Sequence, residues 1–568
     1  MAAMFPTTSI APTSRRLLCL LLGLVYTAQL GLDLSYLEDL EQNSPFIHVL
    51  ALDPADNYDR ALSTVDPNSG FRTEVFYRAP AYPWFLRALS ELTGARTPIE
   101  LVRIQVSFGA ITAPLLFLIV RSLVGGLALP FLGTIGWILY GPRLFFFGQL
   151  LDEVLLISLL LFLWFLLLVP RDETKPLSCF LPGIVLGLAA LTRASMLLCL
   201  PLLAFSYWFA KPEDSFRARA TASSCLILGT LLVILPVTVR NALVSGGDIV
   251  LINASGGANF FLGNNPMATG ACAAPPDLVG SSRGREQEQA FRAAARAATG
   301  QDMTPSALSS YWWSKGWSFL SREPGSGLSL WGRKLLLAFN HYEVPLNADY
   351  TFHRRYSPLF GLAILEFSWL FPLGLIGLLG WYRRQRAWTL TALLFVAQVL
   401  PLLLFFVSAK HRFSLSPFFI VYTVIGLAQL IQRARTRSPV IFSAVFLAFA
   451  GAGITHLDLL EPQGQDVSLF QEGWRFEVLG NIPAAVRAYH RAFDLNPDNL
   501  QALNNLARLL ETTSATIGAT WWELLYRRAQ LSGADQYLRR AEQALSRLQP
   551  SAQSQKSPSP ESPPRPSQ

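Results

Sequence analysis

Charged residues are scarce in this sequence and make up only 15% of its 568 residues, whereas soluble globular proteins carry about 25%. The shortage is local, because apolar runs long enough to cross a bilayer alternate with short basic clusters. The core of a soluble protein cannot bury so many runs that are apolar on every side. The composition therefore excludes a soluble globular protein and predicts an all-α, multi-pass membrane protein.

Cysteine is also scarce, and the cysteine positions exclude two classes of site. Four of the five cysteines lie in or beside apolar runs, and only one lies in a long loop. The chain therefore has no disulfide framework and no paired metal-ligand spacing, and we predict no metal and no cofactor. In chain order the cysteines are Cys19, Cys179, Cys199, Cys225 and Cys272.

The formal net charge of +8 does not indicate a nucleic-acid partner. A nucleic-acid footprint would place the basic residues together on one face. Here the arginines cluster at the ends of apolar runs, where membrane topology explains them. We therefore predict membrane lipid, and not nucleic acid, as a partner.

About eleven apolar segments predict spanning helices. As a single helix, segment 178–211 would measure roughly 50 Å against a hydrocarbon core of about 30 Å, so we predict two short spans that meet near Arg193. No small-residue cleavage site follows the first run, which predicts an uncleaved first helix. The predicted spans are 15–33, 102–121, 127–148, 152–170, 178–193, 194–211, 220–240, 358–380, 387–408, 413–431 and 438–456.

The basic clusters orient these spans. With residues 1–14 in the cytoplasm, the two-span interpretation places the clusters in inside loops, as the positive-inside rule requires. Two long outside loops remain, at about 34–101 and 241–357, and loops of such length usually carry function. The C-terminus then lies outside. The inside clusters consist of Arg171, Lys175, Lys211, Arg217, Arg219, Arg383, Arg384, Arg386, Arg433, Arg435 and Arg437.

The first outside loop contains carboxylates close to a basic residue. Asp53, Asp56 and Asp59 follow the first membrane helix, and Arg78 begins the aromatic, proline-rich return to the membrane. Sugar transfer from a lipid phosphate needs a base for the acceptor proton and positive charge for the departing phosphate. The alternative is that these aspartates only cap helices or face solvent.

Other ionisable residues lie at the outside ends of later spans. A basic set there runs against the positive-inside trend, and an anionic lipid phosphate would explain it. The alternative is that these side chains snorkel or cap helix ends. In the glycine-rich start of the second loop, Asn264 and Asn265 either contact a sugar or form turns. The ionisable set is Asp152, Glu153, Arg193, Arg240, Lys410, His411 and Arg412.

Several short motifs follow one another over about residues 15–456. They are the loop from Asp53 to Tyr58, the APAYPWFL return, Leu151-Asp152-Glu153, GLAALTRAS (Gly187 to Ser195), the segment from Arg240 to Gly270, and the basic stretch from Lys410 to Pro417. In this order they resemble the C-type (GT-C) glycosyltransferase superfamily. Within it, they are similar to bacterial relatives of the dolichyl-phosphate-mannose-protein mannosyltransferases and of the lipid A aminoarabinose transferases.

The resemblance implies a GT-C-like fold, a lipid-linked sugar donor, inverting transfer and an aspartate base in the first loop. Two departures from the family pattern matter. Relatives often carry the aspartate at a fixed short distance before a tyrosine, whereas Asp53 lies five residues and Asp56 two residues before Tyr58. Both remain candidate bases, with Asp53 preferred. Relatives with a KPP-type motif carry lysine where this chain has Ala79, and Arg78 is the candidate replacement.

The C-terminal part predicts a separate small α-helical domain. Residues 466–499 fit one tetratricopeptide repeat (TPR), a helical hairpin of about 34 residues, and a second copy begins at Leu500 and then loses the pattern. One clear repeat is too few for a free-standing solenoid. We predict a helical domain over 463–548, which is either a simple cap or the docking site of a protein partner. The Ser- and Pro-rich tail 549–568 predicts disorder.

Together these features predict a hexosyl- or pentosyltransferase that moves a sugar from a polyprenyl phosphate to a protein, lipid or glycan acceptor. The resemblance to bacterial proteins favours the inner membrane, with the site and C-terminal domain on the periplasmic side. The alternatives are a transporter or flippase, which typically shows internal repeats and broken helices, and a non-catalytic TPR scaffold. The predicted phosphate ligands are Arg78, Arg193, Arg240, Lys410 and Arg412, and the predicted substrate-side residues are Tyr58, Asp152, Glu153, Asn264 and Asn265.

Overall fold

The computed structural model describes most of the chain. The described residues are 12–62, 74–169, 176–209, 215–272, 284–362, 365–380, 386–436, 440–462 and 464–548. The predicted disordered tail lies outside them, as do the first 11 residues and part of the predicted inside clusters. Those cluster residues are Arg171, Lys175, Lys211, Arg383, Arg384 and Arg437.

Throughout the described residues the secondary structure is helical, with two isolated bridges (Tyr140 to Leu365 and Ala271 to Val407) and no strand. This agrees with the all-α prediction. In chain order the α-helices are α1 (Pro12–Asn43), α2 (Leu52–Leu62), α3 (Ala81–Thr93), α4 (Pro98–Gly109), α5 (Thr112–Val124), α6 (Ala128–Ile138), α7 (Gly141–Phe147), α8 (Glu153–Leu168), α9 (Pro176–Thr192), α10 (Cys199–Phe209), α11 (Phe216–Val244), α12 (Gly256–Gly263), α13 (Gly284–Thr299), α14 (Pro305–Arg322), α15 (Pro324–Ala338), α16 (Tyr350–His353), α17 (Phe367–Gly380), α18 (Arg386–Leu404), α19 (Ala409–Arg412), α20 (Ser416–Arg435), α21 (Val440–Thr455), α22 (Gln465–Val478), α23 (Ile482–Leu495), α24 (Leu500–Thr513), α25 (Ala515–Ser532) and α26 (Asp535–Leu548).

Five helical segments of the described chain are long and apolar enough to cross a membrane. They are Arg15–Asn43, Pro98–Val124, Phe216–Val244, Ala387–Leu404 and Ala409–Arg435. Six shorter apolar helices accompany them: Ala128–Ile138, Glu153–Leu168, Cys179–Thr192, Ala194–Trp208, Phe367–Leu379 and Phe442–Thr455. These helices have the lengths and composition of a multi-pass membrane protein. The count of eleven spans stays a prediction.

Several predicted spans differ in their bounds from the observed helices. The first helix continues to Asn43, ten residues beyond the predicted end at 33. The predicted span 127–148 is interrupted between α6 and α7, where Tyr140 adopts an extended conformation. Pro142 occupies the first turn of α7, where its missing N–H leaves no hydrogen bond unmade. Hydrophobicity alone does not reveal this interruption, but the dipeptide Gly141-Pro142 is a turn signal.

The predicted break near Arg193 is present. Helix α9 ends at Thr192, Arg193 is extended (φ −148°, ψ 111°), and a 3₁₀ turn over Ala194–Leu198 leads into α10. Helices α9 and α11 pack backbone to backbone, because a Cβ atom on Gly183 would overlap the carbonyl oxygen of Leu226. Small residues allow this approach between helices in a membrane. The break is what turns Arg193 toward the cavity described below.

The two predicted outside loops fold into helices of their own. The first loop forms α2 and α3, and the second forms α12 to α16. A buried cluster that includes Leu262, Phe291, Trp312 and Phe406 joins α12, α13 and α14 to the chain beyond α18. These loop helices therefore rest on an apolar core of their own, which fixes the position of α12.

The chain divides into two compact units, Met1–Pro462 and Gln463–Gln568. Helices α22 to α26 form the second unit, and its cluster of buried residues includes Leu503, Trp522 and Leu525. The side chain of Asp466 accepts hydrogen bonds from Asn496 and Asn499, both at 2.9 Å. The unit is a small helical domain with its own core, and its assignment to the TPR family stays a prediction.

Candidate active site

A cavity of about 490 Å³ opens in the first unit. Its wall brings together the first loop, the break between α9 and α10, helix α12 and the short helix α19. These segments are far apart in sequence, and each of them carries polar side chains into the cavity. The charged residues of the wall are Asp53, Arg78, Asp152, Arg193 and Lys410.

Asp53 sits in the first turn of α2. The residue before it, Leu52, is the one non-glycine residue of the described chain with a positive φ, at 55°. This is an uncommon conformation for leucine, and such backbone outliers are concentrated at functional sites. It begins the helix at the wall of the cavity and orients the Asp53 carboxylate.

The Asp53 carboxylate is held by two cations and one amide. One oxygen accepts a short hydrogen bond from Arg78. The other oxygen accepts from Lys410 Nζ at 3.1 Å and from Asn347 Nδ2 at 3.1 Å. Burial raises the pKa of Asp53, but the adjacent Arg78 and Lys410 outweigh it and hold the pKa well below its usual range. The carboxylate is therefore ionised at physiological pH.

Asp152 continues the network from Lys410 to Arg193. Its Oδ1 lies 2.8 Å from Lys410 Nζ, and its Oδ2 lies 2.7 Å from Arg193 Nη2. The same Arg193 Nη2 lies 2.6 Å from Glu153 Oε1. Lys410 thus bridges two carboxylates that belong to different loops.

Lys410 owes its position to a short capped helix. Helix α19 has only four residues, and the Ser408 side chain caps it by accepting a hydrogen bond from the backbone N–H of His411. The His411 ring lies 2.7 Å from the same hydroxyl through Nδ1, and His411 also lines the cavity. The cap directs Lys410 toward the carboxylates, and Arg412 away from them.

Neutral polar side chains line the rest of the wall. Asn57, Asn253, Asn259 and Gln287 all face the cavity. Asn57 donates to the Leu150 carbonyl at 3.0 Å, and Asn253 donates to the Tyr77 carbonyl at 3.2 Å. Amide side chains both donate and accept hydrogen bonds, so this wall suits a ligand rich in hydroxyl groups.

Asp56, the second candidate base, lies behind Arg78 and not on the wall of the cavity. Its Oδ2 is 3.9 Å from Arg78 Nη1 and 3.6 Å from Arg60 Nη1. Arg60 in turn donates to the Arg78 carbonyl at 3.2 Å. Of the two aspartates, Asp53 is the one that faces the cavity, and Asp56 helps to position Arg78.

Besides Asp56 and Glu153, five of the predicted site residues lie away from the cavity wall. Arg412 is buried against Glu343, at 2.6 Å, and its guanidinium lies over the Phe367 ring at 4.5 Å. Arg240 donates to the Glu74 carbonyl at 2.6 Å and lies over the Phe76 ring at 4.0 Å. Both cations therefore hold segments of the two long loops in place. The other three residues are Tyr58, Asn264 and Asn265.

These three polar residues stabilise turns and helix ends. The Tyr58 hydroxyl donates to the Arg96 carbonyl at 2.6 Å. Asn264 donates to the Phe260 and Leu404 carbonyls, both at 2.8 Å, and Asn265 donates to the Phe261 carbonyl at 2.9 Å. Of the two interpretations of the glycine-rich segment, turn formation accounts for these contacts.

Asn347 was not predicted as a site residue, and His411 was named only among the ionisable residues at the span ends, without a role. Asn347 contacts Asp53 from 294 positions further along the chain, and an isolated asparagine in a long loop gives no local signal. His411 lines the cavity beside Lys410. In the part of the chain that the structure describes, no three His, Cys, Asp or Glu side chains are grouped to hold a metal ion.

No family model matches this chain, and no curated protein matches it. Among solved structures, it is similar to the Archaeoglobus fulgidus oligosaccharyltransferase in its apo form, with 11% identity and a TM-score of 0.44. It is also similar to the oligosaccharyltransferase AglB from the same archaeon in complex with an inhibitory peptide and a dolichol-phosphate, with 13% identity and a TM-score of 0.44. Each alignment covers 81% of this chain and 58% of that one. The chain thus spans less than two thirds of these structures.

Proposed function

We propose that this protein is a membrane glycosyltransferase of GT-C type that transfers a sugar from a polyprenyl phosphate to an acceptor hydroxyl. One observation carries the proposal. An ionised carboxylate, Asp53, faces a cavity beside the cations Arg78 and Lys410. Such a transfer requires a base for the acceptor proton and cations that bind the departing phosphate.

Each part of the reaction has a candidate group in the cavity. Asp53 accepts the proton of the acceptor hydroxyl as its oxygen forms a bond to the anomeric carbon of the sugar. The bond from that carbon to the phosphate oxygen breaks, and the polyprenyl phosphate leaves with the electron pair. Arg78, Lys410 and Arg193 stabilise the negative charge of the departing phosphate. A single displacement of this kind inverts the anomeric configuration.

The remaining parts of the assignment follow from topology and residue type. Asn57, Asn253 and Asn259 provide hydrogen bonds for the sugar, and Asp152 and Glu153 shape the acceptor side through Arg193. The protein acts in a bacterial inner membrane, with the cavity and the second unit on the periplasmic side. The second unit holds a protein partner or acceptor.

The experiment that tests this function uses the full chain in nanodiscs with a panel of radiolabelled polyprenyl-phosphate sugars. Wild type is expected to transfer label to an acceptor or to water. Asp53→Asn is expected to lower kcat by about 10²- to 10⁴-fold, the usual contribution of a general base. Asp56→Asn should lower it less, because Asp56 acts through Arg78.

A matched control is Asp302→Asn, which removes an exposed carboxylate from the second loop and should leave turnover unchanged. Full turnover in Asp53→Asn would contradict the assignment of the base. Wild type that neither turns over a donor nor binds any polyprenyl phosphate would rule out the transferase and favour the non-catalytic scaffold. Net movement of lipid across the bilayer without sugar transfer would identify a flippase.

A further inference from the structure

The charged groups of the cavity are already neutralised by one another. They alternate in sign along a chain of contacts: Arg78 to Asp53, Asp53 to Lys410, Lys410 to Asp152, Asp152 to Arg193, and Arg193 to Glu153. Along this chain of contacts three cations meet three carboxylates, and the further carboxylate near Arg78, Asp56, is paired with Arg60, so the formal charge is zero. Each of the three cations proposed to bind phosphate therefore has a carboxylate partner.

A neutral network attracts an anion only weakly. A phosphate that enters the cavity loses its hydration, which costs free energy. A cation that keeps its carboxylate partner interacts too weakly with the phosphate to offset this cost. Strong binding requires that one carboxylate leave its cations and that the phosphate take its place. The geometry of the network decides which carboxylate that is.

Two of the three carboxylates are poorly placed to leave. Glu153 is 1% exposed in its side chain and does not line the cavity. Asp152 immediately precedes α8, where the helix dipole favours a negative charge, and it contacts Arg193 through two nitrogens at 3.1 and 2.7 Å.

Asp53 is the carboxylate that is best placed to separate from its cations. It lies on the cavity wall at the start of a short loop helix, and the Leu52 backbone before it is strained. Its partner Arg78 is the most exposed cation of the network, at 27%. Asn347 contacts both the Asp53 backbone N–H and its carboxylate, at 3.3 and 3.1 Å. A carboxylate that gives up both cations therefore retains a neutral partner.

We propose that the phosphate of the lipid donor displaces the Asp53 carboxylate from Arg78 and Lys410, so that donor binding itself releases the base to the acceptor. This inference rests on the proposed function. No proton or electron moves in the step, since two cations only exchange a carboxylate oxygen for a phosphate oxygen. Loss of the two cations returns the pKa of Asp53 toward its usual range. Asp53 thus becomes a stronger base only when the donor is in place.

The test measures binding of undecaprenyl phosphate, without a sugar, to the full chain in nanodiscs. Asp53→Asn should bind it at least about tenfold more tightly than wild type, because the phosphate no longer has to displace Asp53 from Arg78 and Lys410 and the network then carries one net positive charge. The variant should be inactive at the same time. Asp53→Ser, which also removes the charge, should tighten binding in the same direction and serves as a second variant if one of the two fails to fold.

Two controls separate this effect from general changes in charge or lipid affinity. Asp302→Asn removes one negative charge from an exposed side chain outside the cavity, and it should leave the Kd unchanged. Undecaprenol, which has the same chain without the phosphate, should bind wild type and Asp53→Asn equally. Equal tightening in Asp302→Asn would show a bulk charge effect and would overturn the proposal.

The failure of this inference can be distinguished from that of the proposed function. Wild type that binds undecaprenyl phosphate, with both Asp53 variants equal or weaker, would overturn the displacement and leave the transferase intact. No binding by wild type or by either folded variant would remove the proposed function, and the displacement with it.

Discussion

At the scale of single residues, the most informative feature is the set of contacts around Asp53. Two cations hold its pKa well below the usual range in the free protein. The profile of kcat/KM against pH reports ionisations of the free enzyme, whereas that of kcat reports those of the bound complex. Protonation of Asp53 should therefore not limit kcat/KM between about pH 5 and 8.

If the donor takes Arg78 and Lys410 from Asp53, the acid limb of kcat should lie at higher pH than that of kcat/KM. The sign follows from the cations: removing them favours the protonated carboxyl, so its pKa rises. Both profiles would be measured on one nanodisc preparation, with Asp302→Asn as the control. If the acid limb of kcat lies at the same pH as that of kcat/KM, or at a lower pH, donor binding does not separate Asp53 from its cations.

Lys334 is a second residue with an unusual environment. Its side chain is fully buried, and Nζ donates to Asn264 Oδ1 at 2.9 Å and to the Leu403 carbonyl at 3.1 Å. Burial lowers the pKa of Lys334 to about 7. Between about pH 7 and pH 10 the unfolded chain then binds more protons at this lysine than the folded chain. The free energy of unfolding therefore rises with pH, as the cost of burying the charged lysine is lost.

We therefore expect the Tm of wild type, relative to that of Lys334→Met, to rise between about pH 6 and 9. Thermal unfolding of both proteins in the same detergent measures the difference at each pH. Lys315→Met, at an exposed lysine that lies over the Tyr311 ring, is the matched control and should show no such trend. A constant difference for Lys334→Met would mean that the buried lysine keeps its proton.

At this scale, the residues that could be predicted from the sequence are charged side chains at positions where the positive-inside rule does not expect them. Asp53, Arg78, Asp152, Arg193 and Lys410 come from separate segments, and basic residues on the outer face indicated an anionic ligand. All five line one cavity. Their pairing could not be predicted, because it depends on side-chain distances across several hundred residues. For the same reason, Arg240 and Arg412 could not be distinguished from cations that face the cavity.

At the scale of elements, the position of α12 depends on a close backbone contact with α14. A Cβ atom on Gly257 would overlap the carbonyl oxygen of Ser309, whereas a Cβ on the neighbouring Gly256 would meet nothing closer than 3.7 Å. The two glycines occupy the same first turn of α12. The two positions therefore form a matched pair: substitution has the same effect on helix propensity at both, and only the room for a Cβ atom differs.

Gly257→Ala should destabilise the first unit by about 1–3 kcal/mol, the usual cost of overpacking. Gly256→Ala should be neutral or slightly stabilising, since alanine is favoured over glycine in a helix. Thermal unfolding of the two variants beside wild type measures the contrast. Equal Tm values would show that α12 and α14 do not approach as closely as the structure places them.

The elements also show which boundaries a sequence can reveal. The break at Arg193 was predictable, because a single helix over 178–211 would be too long for the bilayer. The interruption between α6 and α7 also has a signal, because the dipeptide Gly141-Pro142 is typical of a turn, but the predicted span 127–148 overlooked it. Bilayer thickness limits the length of a single helix, whereas an interruption inside an apolar run is marked by turn residues and not by hydrophobicity.

At the scale of the whole molecule, the two units have separate hydrophobic cores. The cavity and its charged network belong to the unit Met1–Pro462. The second unit buries Leu503, Trp522 and Leu525 within its own helices. A compact unit with its own core generally folds independently, so the chemistry of the cavity should not depend on the second unit.

We expect a chain ending at Pro462 to bind undecaprenyl phosphate and to transfer sugar to a small acceptor within about twofold of the full chain, because each unit folds on its own. Transfer to a protein acceptor should fall if the second unit holds that acceptor, since tethering raises its effective concentration. Parallel assays with the two acceptors separate these effects. A truncated chain that folds normally but loses donor binding would show that the second unit contributes to the site. Equal transfer to both acceptors would remove its docking role and leave it a helical cap.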